Sequence, residues 1–339
     1  MKAIQIIRPN DLRIVDLEQP VPDSENNVLV RVTACGICGS DIHIYHGTNA
    51  AATYPRIPGH EIVGVVMQVH SDSGSVKPGD RVIIDQVIPC GRCYACRHGR
   101  PNVCHSLKVR GATVDGGFRQ YITVPDRYCY RIPDSLSHIE AVMIEPATIA
   151  MQCCSRAALD SDDTVLILGM GNLGTSILKI VLQESPRAVI AADINDSRLA
   201  DALAAGADHI INPLHENLPL RCRELTGDYG PTLSIDAACV PGSLLSLLES
   251  TGNAGRVITM GFSSAPDGVS QYLITSKELD IRGSRLQNRK FQSVIDRVNT
   301  GRLDLKGSVS HTFPFEEAQK AFDFIDSHDP SIRKVVLTF

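Results

Sequence analysis

A thiol, an imidazole and a carboxylate fall within 24 positions of one another, at Cys38, His60 and Glu61. The stretch that holds them opens with Gly36-Ile37-Cys38-Gly39-Ser40-Asp41 and closes with Gly59-His60-Glu61. All three side-chain types bind Zn²⁺ well, and three protein ligands leave a fourth position open, as catalytic zinc sites do. Between them, Ser40 and His43 supply a hydroxyl and an imidazole that can move a proton. Taken singly, Cys38 reads as a core thiol, and His60 and His43 as ordinary turn and surface histidines. Only the set carries the metal-site reading. Glu145 belongs with it: it sits in Ala141-Val142-Met143-Ile144-Glu145-Pro146-Ala147, where an isolated carboxylate is costly without a cation or metal. A solvent-facing helix-end glutamate is the alternative.

A second group of ligands is denser. Cys90, Cys93, Cys96 and Cys104 follow the spacing C-x₂-C-x₂-C-x₇-C. Four thiolates surround one tetrahedral metal and leave no open position, so this site is structural. An iron–sulfur cluster also takes four thiolates. Zinc is favoured because Gly91, Gly99 and Pro101 mark a surface lobe and nothing implies a second redox centre.

The elements that position these residues fall into two patterns. Short β-rich runs dominate the first part: 2–8, 11–18, 28–32, 61–69, 81–85 and 120–124, separated by turns such as Lys77-Pro78-Gly79-Asp80. They predict a compact barrel-like domain. Helix-compatible residues follow at 137–147, interrupted by Pro146. The pattern then changes to alternating strands and helices. An apolar strand over 163–168 runs into Gly169-Met170-Gly171-Asn172-Leu173-Gly174 and a helix to about Leu182. A second strand, 188–192, ends at Asp193. Strand, G-x-G-x-x-G, helix, strand and acid form the dinucleotide-binding fingerprint. The glycines allow the tight turn, the approach of a pyrophosphate, and close helix–strand packing. Asp193 suits a ribose 2′-hydroxyl and repels a 2′-phosphate, which predicts NAD over NADP; Arg198 weakens that preference slightly. Further strands at 209–211, 233–236, 256–260 and 279–283 complete six, giving an α/β doubly wound parallel sheet. A helix at 315–327 and a strand at 334–339 return to the first domain.

Composition narrows the class. A chain of 339 residues exceeds one typical core, so two domains are expected. Net charge is −5 and no basic run occurs, which argues against a nucleic-acid partner. No segment has the length of a membrane span. Eleven cysteines without an export signal read as reduced thiols or metal ligands in a cytoplasmic protein, not as a disulfide framework.

Together these pieces resemble the zinc-dependent medium-chain alcohol and polyol dehydrogenases, along essentially the whole chain. The matching stretches are Gly36–Asp41, Gly59-His60-Glu61, Gly79-Asp80-Arg81-Val82, the four-cysteine lobe, Gly116-Gly117-Phe118, Glu145-Pro146 and the nucleotide fingerprint. Glu145-Pro146 is similar to the sorbitol and sugar-acid branch, not to the ethanol branch, where a cysteine is a metal ligand. Pro231–Cys239, Gly261-Phe262-Ser263-Ser264 and Ser284-Arg285-Leu286 resemble a bacterial group of starvation-sensing and L-galactonate/L-gulonate 5-dehydrogenases. One departure is Asn172-Leu173 in the glycine loop, where relatives often carry Pro-Ile; the glycines themselves are undisturbed.

The resemblance implies a GroES-like β-barrel catalytic domain over 1–150 and 286–339, with the zinc lobe at 88–106, and a Rossmann domain over 151–285. It implies two zinc ions per chain, one catalytic at Cys38, His60, Glu61 and Glu145 and one structural, with NAD as cofactor. A secondary alcohol would be oxidised to a ketone, its proton leaving through Ser40, the cofactor ribose and His43. Arg198 would flank the adenine. Arg110 and Arg285 fall in stretches similar to substrate loops, where a guanidinium can grip an aldonate carboxylate. L-Gulonate or L-galactonate is the expected substrate. A neutral polyol such as sorbitol or galactitol is the alternative, followed by L-threonine or a non-catalytic nucleotide-binding regulator. The strand at 279–283 would leave an open sheet edge, so a homodimer or homotetramer is expected.

Overall fold

The computed structural model describes residues 1–70, 74, 76–262 and 268–339, so Ser263 and Ser264 lie outside the described residues. The chain divides into two compact units, Met1–Pro146 with Asn288–Phe339, and Ala147–Gln287. The divisions fall at 146/147 and 287/288, where 150/151 and 285/286 were expected.

The first unit begins with strands β1 (Lys2–Arg8), β2 (Asp11–Asp16), β3 (Val28–Ile37), β4 (Glu61–Val69), β5 (Arg81–Ile84), β6 (Val87–Ile88), β7 (Lys108–Val109), β8 (Tyr121–Val124) and β9 (Cys129–Arg131). Among them lie the helices α1 (Gly39–Tyr45), α2 (Tyr94–Arg97) and α3 (His138–Ala141), and α4 (Ile144–Ala157) follows. Pro146 does not interrupt α4. It occupies the first turn, where a missing N–H costs no intrahelical bond.

In the second unit, β10 (Thr164–Leu168), α5 (Asn172–Gln183), β11 (Ala188–Ala192), α6 (Asp196–Ala204) and β12 (His209–Ile211) are followed by α7 (Leu218–Leu225), β13 (Leu233–Asp236), α8 (Ser243–Ser250), β14 (Arg256–Thr259), α9 (Gln271–Lys277) and β15 (Asp280–Gly283). The sheet order is β12-β11-β10-β13-β14-β15, and every pair is parallel. This is the doubly wound order 3-2-1-4-5-6, with its switch point between β10 and β13. The inner strands β10, β11 and β13 bury both faces, so they read as apolar runs such as Val165-Leu166-Ile167. Leu166, Ile190, Ile211, Leu247, Leu248 and Val257 form this unit's core.

The chain then rejoins the first unit through α10 (Phe291–Asn299), β16 (His311–Pro314), α11 (Ala318–Asp326) and β17 (Val335–Thr338). A seven-stranded sheet runs β16-β17-β3-β4-β5-β9, with β8 also paired to β3. β3 continues five residues beyond the expected 28–32. The reason lies far away in sequence: Ala34–Ile37 pair with β17. Phe322, Phe315 and Leu337 from the returning segment pack in one core with Ile4, Val30 and Phe118. No helix among the described residues is long and apolar enough to cross a membrane.

Candidate functional site

Strand register builds the first cluster. Gly36 on β3 pairs with Glu61, the first residue of β4, and Ile37 pairs with Val335, the first residue of β17. The end of β3 therefore sits between Glu61 and Lys334, and Cys38 follows at the N-cap of α1. One ligand atom each from Cys38, His60 and Glu61 lies within 4.8 Å of the others. A Cβ at Gly36 would collide with Glu61 Oε2, so only glycine lets the carboxylate cross the neighbouring strand.

Two charged side chains hold this cluster. Asp41 is fully buried; its Oδ2 accepts the Cys38 N–H at 2.9 Å and its Oδ1 accepts the Gly59 N–H at 3.0 Å. One carboxylate thus ties the segment before each ligand to the same point. Its Oδ1 also lies 3.6 Å from His60 Nδ1, which orients the ring and leaves Nε2 for a metal. Lys334, 3% exposed, donates to Ile37 O at 3.0 Å and pairs with Glu61 Oε1. Glu61 Oε2 is buried and has no hydrogen-bond partner among the described residues. A thiol, an imidazole and a carboxylate that converge, with one carboxylate oxygen still lacking a partner, fit a zinc ion.

The electrostatics agree with a site that wants a cation. Burial opposes charge on the His60 imidazole, but Asp41 and Cys38 outweigh it and hold its pKa well above the ordinary value. Burial likewise raises the Cys38 thiol, yet its hydrogen bond to His60 leaves it below the ordinary value. Glu145 is not among the three residues that converge. It is buried, Gln86 Nε2 donates to its Oε1, and burial lifts its pKa to about 8. Ser40 is half-buried in the first turn of α1, and the exposed His43 has its Nδ1 2.8 Å from Thr48 Oγ. No hydrogen bond joins Ser40 to His43 among the described residues.

The four lobe thiols all lie within 4.8 Å of one another, with Cys93 Sγ 3.5 Å from Cys96 Sγ and 3.8 Å from Cys104 Sγ. A tetrahedron with metal–sulfur bonds of about 2.3 Å has edges of about 3.8 Å, so the spacing suits one zinc. All four cysteines are free of disulfides. The backbone N–H groups of Cys96 and His105 lower the Cys93 thiol to about 6, favouring the thiolate that a metal needs.

The glycine loop lies at the carboxyl end of β10. Gly169 takes φ +94° against Ala238, and a Cβ at Gly174 would collide with the Gly169 carbonyl. A Cβ at Gly171 would meet nothing within 4 Å, so this face of the loop is open to a ligand. Asn172 and Leu173 begin α5, which carries its N-terminus toward that open face. Asp193 does more than offer a ribose contact. Its Oδ2 accepts the Met170 N–H at 2.6 Å and its Oδ1 the Asn195 N–H at 2.9 Å, which fastens the loop to the end of β11. Arg198 Nη1 lies 3.9 Å from the same carboxylate.

Residues 24–134 match the family model for an alcohol dehydrogenase GroES-like domain, and residues 169–300 the model for a zinc-binding dehydrogenase. The chain is 42% identical to the starvation-sensing protein RspB of Escherichia coli K12, over 100% of this chain and 99% of that protein. The chain belongs to the zinc-dependent medium-chain alcohol dehydrogenases. Sorbitol dehydrogenase of Bacillus subtilis is 32% identical over 95% of this chain and 93% of its own. An RspB alcohol dehydrogenase of E. coli CFT073, solved with NADH, superposes with a TM-score of 0.93 at 41% identity, covering 100% of this chain and 99% of that one.

Like the family, this medium-chain dehydrogenase acts as an oxidoreductase on CH–OH groups. Arg110 is 5% exposed; its Nη1 donates to Asp85 O at 3.1 Å, and its guanidinium lies 4.7 Å from the Tyr128 ring centroid. These contacts brace the guanidinium inside the first unit. Arg285 is exposed, 5.0 Å from the Phe262 ring centroid. Three residues of the dehydrogenase site escaped the sequence reading: Asp41, Gln86 and Lys334. Asp41 stood in the Cys38 motif and gave a signal. Lys334 gave none, because a lysine before Val-Val-Leu reads as an exposed strand end.

Proposed function

We propose that this chain oxidises a secondary alcohol of a polyhydroxylated compound to the ketone with NAD, and that its substrate is a sugar acid of the L-gulonate or L-galactonate type. The observation that carries the reaction is the convergence of Cys38, His60 and Glu61, whose buried Oε2 has no hydrogen-bond partner among the described residues. Zinc held there supplies a Lewis acid that makes an alcohol easier to deprotonate. Cys38, His60 and Glu61 hold it, with Glu145 beside them, and Cys90, Cys93, Cys96 and Cys104 hold the structural ion. Ser40 would take the alcohol proton and pass it through the cofactor ribose to the exposed His43 and solvent. The open face at Gly171 receives the pyrophosphate, and Asp193 accepts from the ribose and repels a 2′-phosphate.

The sugar-acid reading draws support from L-idonate 5-dehydrogenase of Vitis vinifera, 30% identical over 88% of this chain. Arg285 is its carboxylate partner. A neutral polyol is the second reading, since the buried Arg110 already donates to Asp85 O. Purified protein with NAD and L-gulonate, L-galactonate, sorbitol, galactitol or L-threonine tests this through NADH absorbance. Turnover is expected to be fastest with an aldonate. Fastest turnover of sorbitol or galactitol selects the polyol reading, and of L-threonine the amino-acid reading. No turnover, with no zinc beyond the cysteine lobe, leaves a nucleotide-binding regulator. Asp193→Ser is expected to shift preference toward NADP by about tenfold, equivalent to ~1.4 kcal/mol. An unchanged preference in steady-state kinetics removes Asp193 from that role.

A further inference from the structure

Gln86 follows β5 in the segment that leads to β6, and its side chain is 0% exposed. Its Nε2 is committed to Glu145 Oε1, and its backbone carbonyl accepts the Arg110 N–H at 3.0 Å. Its Oε1 has no donor among the described residues. A buried amide oxygen without a donor is costly, and a leucine or methionine in the same volume would avoid the cost. The amide is planar, so this oxygen lies within about 5 Å of the Glu145 carboxylate oxygen that its nitrogen contacts. Glu145 in turn lies close enough to Cys38, His60, Glu61 and Lys334 for their charges to act on it. An acceptor in need of a donor therefore stands beside the proposed metal site.

The orientation of the amide follows from its neighbour. The nitrogen faces Glu145 Oε1, and against the ionised carboxylate the reverse orientation would set two oxygens against each other. The carbonyl is thereby turned away from Glu145, and what it can take is an O–H. A simple alcohol has one hydroxyl, the one that reacts. A polyhydroxylated substrate has another on the next carbon.

We propose that Gln86 is a specificity-determining residue whose Oε1 accepts a hydrogen bond from the substrate hydroxyl on the carbon next to the one that is oxidised. This rests on the alcohol-oxidation reading above. A substrate lacking that hydroxyl leaves the buried oxygen unpaired, which is how sites built for hydrogen bonds reject apolar analogues.

The test compares butane-2,3-diol with butan-2-ol, which differ by that one hydroxyl, in zinc-loaded wild type, Gln86→Leu and Gln86→Met. Wild type is expected to favour the diol in kcat/KM, and both variants to lower the diol/mono-alcohol ratio by about 10- to 100-fold. Loss of the Glu145 contact alone would slow both alcohols equally, so an unchanged ratio overturns the proposal. Equal use of both alcohols by wild type overturns it too. If wild type oxidises neither alcohol, nor any aldonate or polyol, the alcohol-oxidation reading itself fails. Saturation-transfer NMR on the metal-free protein adds a readout without turnover. The diol signal is expected to exceed that of butan-2-ol in wild type, and the difference to vanish in Gln86→Leu. A difference that survives in both variants means that the donor for Oε1 is a water, and overturns the proposal.

Discussion

Asp41 shows how one buried carboxylate organises a site from residues 22 positions apart in sequence, Cys38 and His60. It accepts the N–H of Cys38 and of Gly59 and faces His60 Nδ1. Its replacement by asparagine keeps the shape but loses the charge that orients the imidazole. Asp41→Asn is expected to weaken binding at the catalytic zinc by about 10- to 100-fold while leaving the lobe zinc in place. Competition with a chelator, read by metal analysis, measures both sites at once. Lys334 offers a second check. It and Glu61 are 3% and 1% exposed, so removing one leaves the other buried and unpaired. Lys334→Met is expected to destabilise the metal-free protein by about 3–5 kcal/mol, and Glu61→Gln in the same chain to recover part of it. Urea denaturation of the two single variants and the double variant gives the coupling. Strictly additive losses would show that the pair does not act as one.

At the scale of elements, the lobe and the glycine loop differ in how they hold together. The lobe offers α2, with only four residues and none of them buried. A metal must supply what packing does not. Cys93→Ser is expected to drop the zinc content from about two ions to about one and to lower the melting temperature. Retention of two ions would place the second metal elsewhere. The glycine loop is instead held by Asp193, at the end of β11, through the Met170 and Asn195 N–H groups. This second duty explains why an acid there matters to the loop as well as to the ribose. Its spacing was legible in the sequence, because strand, loop, helix and strand are contiguous. The tie to Met170 was not, because a backbone contact leaves no residue-type signature.

On the scale of the whole molecule, the open question is what covers β15. This strand ends the parallel sheet, three of its four residues are exposed, and Ile281 is 38% exposed. Exposed edges invite pairing with another strand, and a two-fold axis lets β15 of a second copy do so. We expect a homodimer joined there. Ile281→Lys should shift the mass seen by analytical ultracentrifugation toward the monomer; a wild type that sediments as a monomer would dispose of the idea.

The local patterns were readable because each depends on neighbours in the chain. Four cysteines within 15 residues, glycines between a strand and a helix, and alternating apolar runs all announce themselves by spacing. The second unit's six strands and the lobe's cysteine cluster were therefore legible before any coordinates, whereas α9 was not. Only the tertiary structure decided the partners of buried charge. Lys334 reaches Glu61 across 273 residues because β17 pairs with β3, and Gln86 reaches Glu145 across 59. It also turned Arg110 inward to Asp85 and Tyr128. A charged residue looks the same in sequence whether solvent or a buried counter-charge receives it; the difference is long-range strand register, which no local spacing encodes.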